Sequence, residues 1–225
     1  MKKYIISSLL LCSLLTVTAC EKVGNTNDPK PGEESASTEA STEGTTEETP
    51  TVRVPDIQTS DDFEYEVLDG HTVITGYVGT SKTVEVPAEL GGAPVTEIGF
   101  YAFEAEYDIT SVKLPESITL IGEGAFMDCE SLETINIPEA VEGIDRGAFV
   151  ACLSLAKITI PEGCEYVREE AFTACEGMTL LTIENPELAY ENWGLEELPQ
   201  LMISAPEGSE TAKWVSDMGK LAEAE

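Results

Sequence analysis

Cys129, Cys152 and Cys175 recur at an interval of 23 residues, and Cys164 lies between the last two. Thiols can hold zinc, attack a substrate or oxidise, but these spacings do not resemble a zinc site. His71 is the only histidine of the chain. Serine–histidine–aspartate, cysteine–histidine and two-histidine metal chemistry therefore lose their usual base or ligands. His71 stands beside a hairpin-turn signal and reads as a surface turn residue. Ser154-Leu155-Ala156-Lys157 fits a serine-x-x-lysine nucleophile pattern. The companion motifs of the penicillin-binding class are missing, and Leu155 belongs to a core register, so the match reads as chance. Carboxylate pairs can hydrolyse glycosides, yet with 43 acidic residues pairs occur everywhere and single out none. The aspartate-rich, glycine-containing calcium loop is absent. The sequence thus names no catalytic residue, no metal site and no cofactor.

Charge narrows the remaining classes. Twelve basic against 43 acidic residues give a formal net charge of −31. Such a chain is repelled by nucleic-acid phosphates and by anionic lipid, which excludes a nucleic-acid partner and docking through a basic patch.

The elements that must position any site follow from a repeat. Ala102-Phe103, Ala125-Phe126, Ala148-Phe149 and Ala171-Phe172 share one dipeptide at a constant spacing of 23. Ile98, Ile121, Ile144 and Val167 keep the same register, as do Ile109, Leu132, Leu155 and Met178. A period of 23 falls among the leucine-rich repeats, and Leu132-Glu133-Thr134-Ile135-Asn136-Ile137 matches their strand. Ile135 and Ile137 should point inward and Asn136 outward. Pro138, without an N–H, should end the ladder. No coil can bury its own apolar face, so stability must come from stacked neighbours. The expected fold is an α/β repeat solenoid, a right-handed stack of leucine-rich-repeat coils. It should have one parallel sheet, short helical turns on the convex side, an N-terminal β-hairpin cap and a C-terminal helical cap.

The flanks complete this organisation. Residues 1–20 form a secretory signal: a basic start, then an apolar stretch too short to span a bilayer. Residues 21–60 are an acidic, Ser/Thr-rich segment that cannot bury enough surface to order itself, and read as a disordered linker. Residues 61–94 hold the N-terminal cap and a first irregular coil. Asp69-Gly70 marks the hairpin turn. Gly91-Gly92-Ala93-Pro94 is an insertion. Residues 95–186 are the four regular repeats. Residues 187–225 are a last short coil and a cap, in which Ser209 opens a helix that Gly219 stops. Adjacent coils about 5 Å apart would allow a disulfide within the cysteine ladder. Buried free thiols acting as small hydrophobes are the favoured alternative.

Two resemblances add to this. Val17-Thr18-Ala19-Cys20 resembles the bacterial lipobox, which implies a diacylglycerol on Cys20 and a lipid-anchored protein on the extracytoplasmic face of a bacterial membrane. The pattern Ile144-x-x-x-Ala148-Phe149-x-x-Cys152-x-x-Leu155-x-x-Ile158-x-Ile160-Pro161 resembles the BspA-like leucine-rich-repeat family. Members of that family are surface or secreted proteins, some of them adhesins, and they share the cysteine ladder. The sequence departs from the pattern at Glu106, where later coils have cysteine, and at Glu184, where proline is expected.

In this architecture the strands line a concave face. Its outward residues include Thr110, Ser111 and Lys113, then Glu133, Thr134 and Asn136, then Lys157, Thr159, Thr179 and Thr182. That stripe is Thr-rich and close to neutral, while the turns elsewhere are acidic. Threonine suits exposed strand positions, and a stripe spared a dense single-sign field also suits recognition. The expected function is a lipid-anchored extracellular binding module for a protein or glycan, with no covalent chemistry. A structural spacer lipoprotein and a hydrolase are the alternatives. No oligomer is indicated.

Overall fold

The computed structural model describes residues 56–222. The signal segment, Cys20 and most of the acidic linker lie outside the described residues. At the N-terminal end, β1 (Gln58–Ser60), β2 (Phe63–Leu68) and β3 (His71–Tyr77) pair antiparallel. Asp69 and Gly70 turn the hairpin at φ 46° and 89°, the left-handed pair that matches the strands' twist. β1 falls inside the stretch assigned to the linker. It pairs through its main chain while its side chains stay largely exposed, so it carries no apolar signal.

Six parallel strands follow the leucine-rich-repeat register. They are β4 (Thr83–Glu85), β7 (Ser111–Lys113), β9 (Thr134–Ile135), β11 (Lys157–Ile160), β13 (Leu180–Ile183) and β14 (Met202–Ser204). β4, β7 and β9 form one hydrogen-bonded run, and β11, β13 and β14 another. The expected parallel sheet is therefore present, in two runs. A second parallel ladder accompanies it: β3 continues into β6 (Ala93–Ile98), β8 (Leu120–Ile121), β10 (Gly143–Ile144) and β12 (Tyr166–Val167). Ile98, Ile121, Ile144 and Val167 sit in it, fully buried. The insertion at Gly91-Gly92 makes a small hairpin of β5 (Glu89–Leu90) with β6. The Thr72 hydroxyl donates to the Leu90 carbonyl at 2.8 Å and ties this hairpin down.

At the corner between the two ladders, the expected helical turns are replaced by successive three-residue turns. Each coil holds two left-handed residues there, four apart: Tyr101, Gly124, Gly147 and Glu170 at the first position, and Ala105, Asp128, Ala151 and Ala174 at the second. A left-handed residue every fourth position forbids helix propagation and costs a non-glycine side chain about 1–2 kcal/mol. In exchange, alternate N–H groups aim at the next coil. Tyr101, Phe103 and Ala105 donate to the carbonyls of Glu123, Ala125 and Met127 at 2.8–3.0 Å, and the pattern repeats down the stack.

The core is one column. Phe103, Phe126, Phe149 and Phe172 are fully buried and stack at centroid distances of 5.0, 5.4 and 5.6 Å, near the strand spacing. Tyr77 of the hairpin caps the column above Phe103 at 5.4 Å. Below it, the Phe172 N–H donates to the Trp193 carbonyl. Trp193 is itself buried, edge-on to Trp214. Trp214 belongs to α1 (Glu210–Asp217), whose first turn is capped by Ser209 accepting from the Ala212 N–H. Among the described residues no helix is long and apolar enough to cross a membrane.

Candidate functional site

The strand face is built by register. Val84, Val112, Ile158, Leu181 and Ile203 point inward and are buried. The alternate positions point out in two rows. Thr83 aligns with Ser111 and Thr134, and Lys157 with Leu180 and Met202. Glu85 aligns with Lys113, and Thr159 with Thr182 and Ser204. Six coils thus bring the candidate residues onto one surface. Sequence reasoning left Thr83, Glu85, Met202 and Ser204 out of the candidates. The first and last coils repeat the strand at irregular intervals, so the 23-residue register did not reach them.

Several candidates are already engaged. Lys113 Nζ lies 2.6 Å from the Glu85 carboxylate. The Thr110 and Thr179 hydroxyls donate to the carbonyls of Lys82 and Ala156, and Thr134 donates to the Ser111 hydroxyl at 2.9 Å. Asn136 is the clearest case. Its Oδ1 accepts from the Leu114 N–H at 2.8 Å and its Nδ2 donates to the Leu114 carbonyl at 3.0 Å. The amide thereby does for Leu114 what a strand neighbour's backbone would do, a structural role that its outward position did not announce. Ile135 and Ile137 of that coil are only half-buried. Glu133, Lys157 and Thr159 are exposed.

Lys157 differs from the other basic groups. Lys82, Lys113, Arg146, Arg168 and Lys213 each face a carboxylate, and Lys220 donates to the Leu198 carbonyl. Among the described residues, Lys157 alone of the basic side chains has neither kind of partner. It stands on β11, the fourth of the six strands, with Thr159 beside it and Leu180 across the ladder.

The acidic corner is a different environment. Arg146 bridges to Glu170 at 2.8 Å and Arg168 to Glu191 at 3.6 Å, while the Arg168 guanidinium lies 4.5 Å from the Tyr166 ring centre. Partial burial raises the Asp145 carboxyl above its ordinary range, against the nearby Arg168 charge. Among the described residues no group of His, Cys, Asp and Glu is placed to hold a metal ion. His71 Nε2 faces Glu97 at 3.6 Å on the other ladder.

The cysteine ladder is buried and reduced. Cys129, Cys152 and Cys175 donate to the carbonyls of Phe103, Phe126 and Phe149 one coil back, at 3.0–3.2 Å. Burial pushes the thiols of Cys129 and Cys175 up to about 12 and that of Cys164 to about 11. In the folded chain these thiols should react with an aromatic disulfide reagent at pH 8 more than about a hundredfold slower than a free thiol, because reaction waits for opening. Unfolding should release all four at once. The sign for pH is also set. Above the ordinary thiol pKa the unfolded chain loses these protons and the folded chain keeps them, so stability should fall from about pH 9 upward. Chemical denaturation at pH 7.5 and 10 would read this.

Comparison with known proteins agrees with the coil geometry. Residues 96–193 match the BspA type Leucine rich repeat region in six copies. A leucine-rich repeat protein from Bacteroides capillosus is 31% identical, aligned over 56% of this chain and 97% of that one, with a TM-score of 0.52. A leucine-rich-repeat protein of T. pallidum is 27% identical over 64% of this chain and 68% of that one, with a TM-score of 0.60. A leucine rich cell surface protein from Faecalibacterium prausnitzii is 25% identical over 70% of this chain but only 44% of that one, with a TM-score of 0.56. No curated protein sequence matches the chain.

Proposed function

Because the chain belongs to the BspA-type leucine-rich-repeat proteins, we propose that it is a binding module of a bacterial cell surface, anchored by lipid on Cys20, that takes a protein or glycan ligand on its strand face. The observation that carries the reading is Lys157. In a chain of net charge −31, a lysine held on an ordered sheet without a carboxylate is a cation kept for something else. A carboxylate of a partner would supply the missing charge, and Thr159 adds a hydroxyl that donates and accepts. The coil backbone behind them is fixed by ladder hydrogen bonds, so little ordering entropy is lost on binding. The surface location is supported by the lipobox-like Val17-Thr18-Ala19-Cys20 and by the cell-surface description of the Faecalibacterium relative.

The test immobilises the chain and exposes it to an extract of extracellular matrix and to a glycan array. Saturable capture is expected, weakened about tenfold or more by Lys157→Glu with Lys113→Glu, since like charge now meets the partner. Glu139→Gln with Glu162→Gln should leave capture unchanged. Equal losses from both pairs would remove the strand face from the account. Reproducible failure to capture anything would favour a spacer.

A further inference from the structure

One coil breaks the corner pattern. Where later coils carry Glu123, Arg146 and Glu169, the first carries Phe100, and where they carry Gly124, Gly147 and Glu170 it carries Tyr101. Tyr101 is accounted for by the fold: its ring lies against Gly124 and its hydroxyl donates to Glu123 at 3.3 Å. Phe100 is not. It is 68% exposed, the most exposed large apolar side chain among the described residues, and it joins no ring stack there. A fold that sets charged residues at this position in three coils has no packing use for phenylalanine in the fourth.

Phe100 instead forms a wall of a groove of about 350 Å³ beside the second ladder. Ile57, Leu68 and Leu120 continue its apolar lining, and Ile57 is 53% exposed. Glu66, Glu97 and Asp145 supply its charges, and among the described residues no basic side chain lines it. The Thr75 hydroxyl, also in the lining, has no hydrogen-bond partner among the described residues. An exposed apolar surface rimmed by charge of one sign marks an interaction site. The volume lies at the small end for ligand sites, with room for a pair of side chains rather than a helix.

We propose that this groove is a second binding surface, distinct from the strand face, and that it takes a short extended peptide segment of another protein carrying lysine or arginine among apolar side chains. The charge complementarity selects the occupant. The Glu97 and Asp145 carboxylates in the lining can receive an ammonium or guanidinium, the open face of Phe100 suits the same cation, and the apolar lining suits an aliphatic neighbour. A neutral glycan would find the aromatic wall but little use for the Glu97 and Asp145 carboxylates in so small a space.

The probe is a dye-labelled heptapeptide alternating valine with lysine and arginine, titrated into the full chain at low salt and followed by fluorescence anisotropy. Saturable binding at one site is expected. Phe100→Ser and, separately, Glu97→Gln with Asp145→Asn should each weaken it about tenfold or more, and 0.5 M salt should weaken it as well. Glu139→Gln with Glu162→Gln, which remove as much charge far along the chain, should not. Phe100 is exposed, so its variant should keep the parent melting temperature; should it fail to fold, the carboxylate pair decides alone. Affinity within twofold of the parent for the groove variants would overturn the proposal. So would an equal loss in the Glu139 and Glu162 pair, since the peptide would then read only net charge. A Phe100-dependent self-association, or a Phe100-dependent response to maltohexaose without one to the peptide, would overturn it in favour of a second copy or a glycan.

Discussion

Phe149→Ala is expected to lower the unfolding free energy by about 3–5 kcal/mol. Phe149 is fully buried, between Phe126 at 5.4 Å and Phe172 at 5.6 Å, with the ring planes within 6°. Its removal costs the transfer energy of the ring and leaves a cavity that the rigid coil spacing cannot close. Both neighbouring coils hold their backbones through the same corner, where the Phe126 N–H donates to Ala148 and the Phe149 N–H to Ala171. Collapse around the gap would therefore strain hydrogen bonds on both sides. A domain of ordinary stability has only about 5–15 kcal/mol in total, so the variant should lose a large share of it. In a coil stack each unit leans on its neighbours. Urea unfolding should thus show a lower midpoint and a broadened or divided transition, as the two halves lose their common column. A loss under about 1 kcal/mol would contradict the column as the main source of coupling.

Gly177→Ala should cost about 1–3 kcal/mol for a single methyl group. A Cβ at Gly177 would stand 2.3 Å from the Leu153 carbonyl oxygen and 3.3 Å from its carbon. The obstacle is backbone of the preceding coil, which no side-chain rotation removes, so the two coils must separate. Gly147→Ala is the comparison. Its Cβ would meet only Val150 at 3.4 Å and Met127 at 3.7 Å, ordinary contacts. It pays instead for the left-handed backbone at φ 62°, about 1–2 kcal/mol, a strain that Ala105, Ala151 and Ala174 already tolerate. Thermal melts of the two variants should place Gly177→Ala below Gly147→Ala. The reverse order would mean that coil spacing is softer than the close contact implies.

Much of this architecture was legible because a coil stack repeats its demands. One interval of 23 residues located the phenylalanine column, the cysteine ladder and the leucine-rich-repeat strands. Asp69-Gly70 and Ser209 announced the two caps through turn and capping chemistry alone. The second ladder was hidden because its later strands, β8, β10 and β12, are each two residues long, too short for alternation to show. The corner turns were read as helical because, of their left-handed positions, only Gly124 and Gly147 are glycine and the rest are alanine, aspartate, tyrosine or glutamate, so no residue type marks them.

The functional surfaces were legible in a different measure. Outward strand positions could be counted from the core register, which gave most of the face. Which of them are spent on the fold could not be counted. Asn136 is turned onto the Leu114 backbone and Lys113 onto Glu85, partners 22 and 28 residues away. The Phe100 groove draws on Ile57, Leu68 and Asp145 from separate turns of the chain, and no linear motif connects them. Lys157 stood in the sequence as one lysine among several. Only the pairing of the others sets it apart.

The most direct measurement is the affinity of a partner captured from matrix extract or glycan array, titrated over the parent chain and over Lys157→Glu alone. The account predicts a loss of about tenfold or more, about 1.4 kcal/mol, with an unchanged melting temperature because Lys157 is exposed. An affinity within twofold of the parent would contradict the strand face as the place where this protein binds.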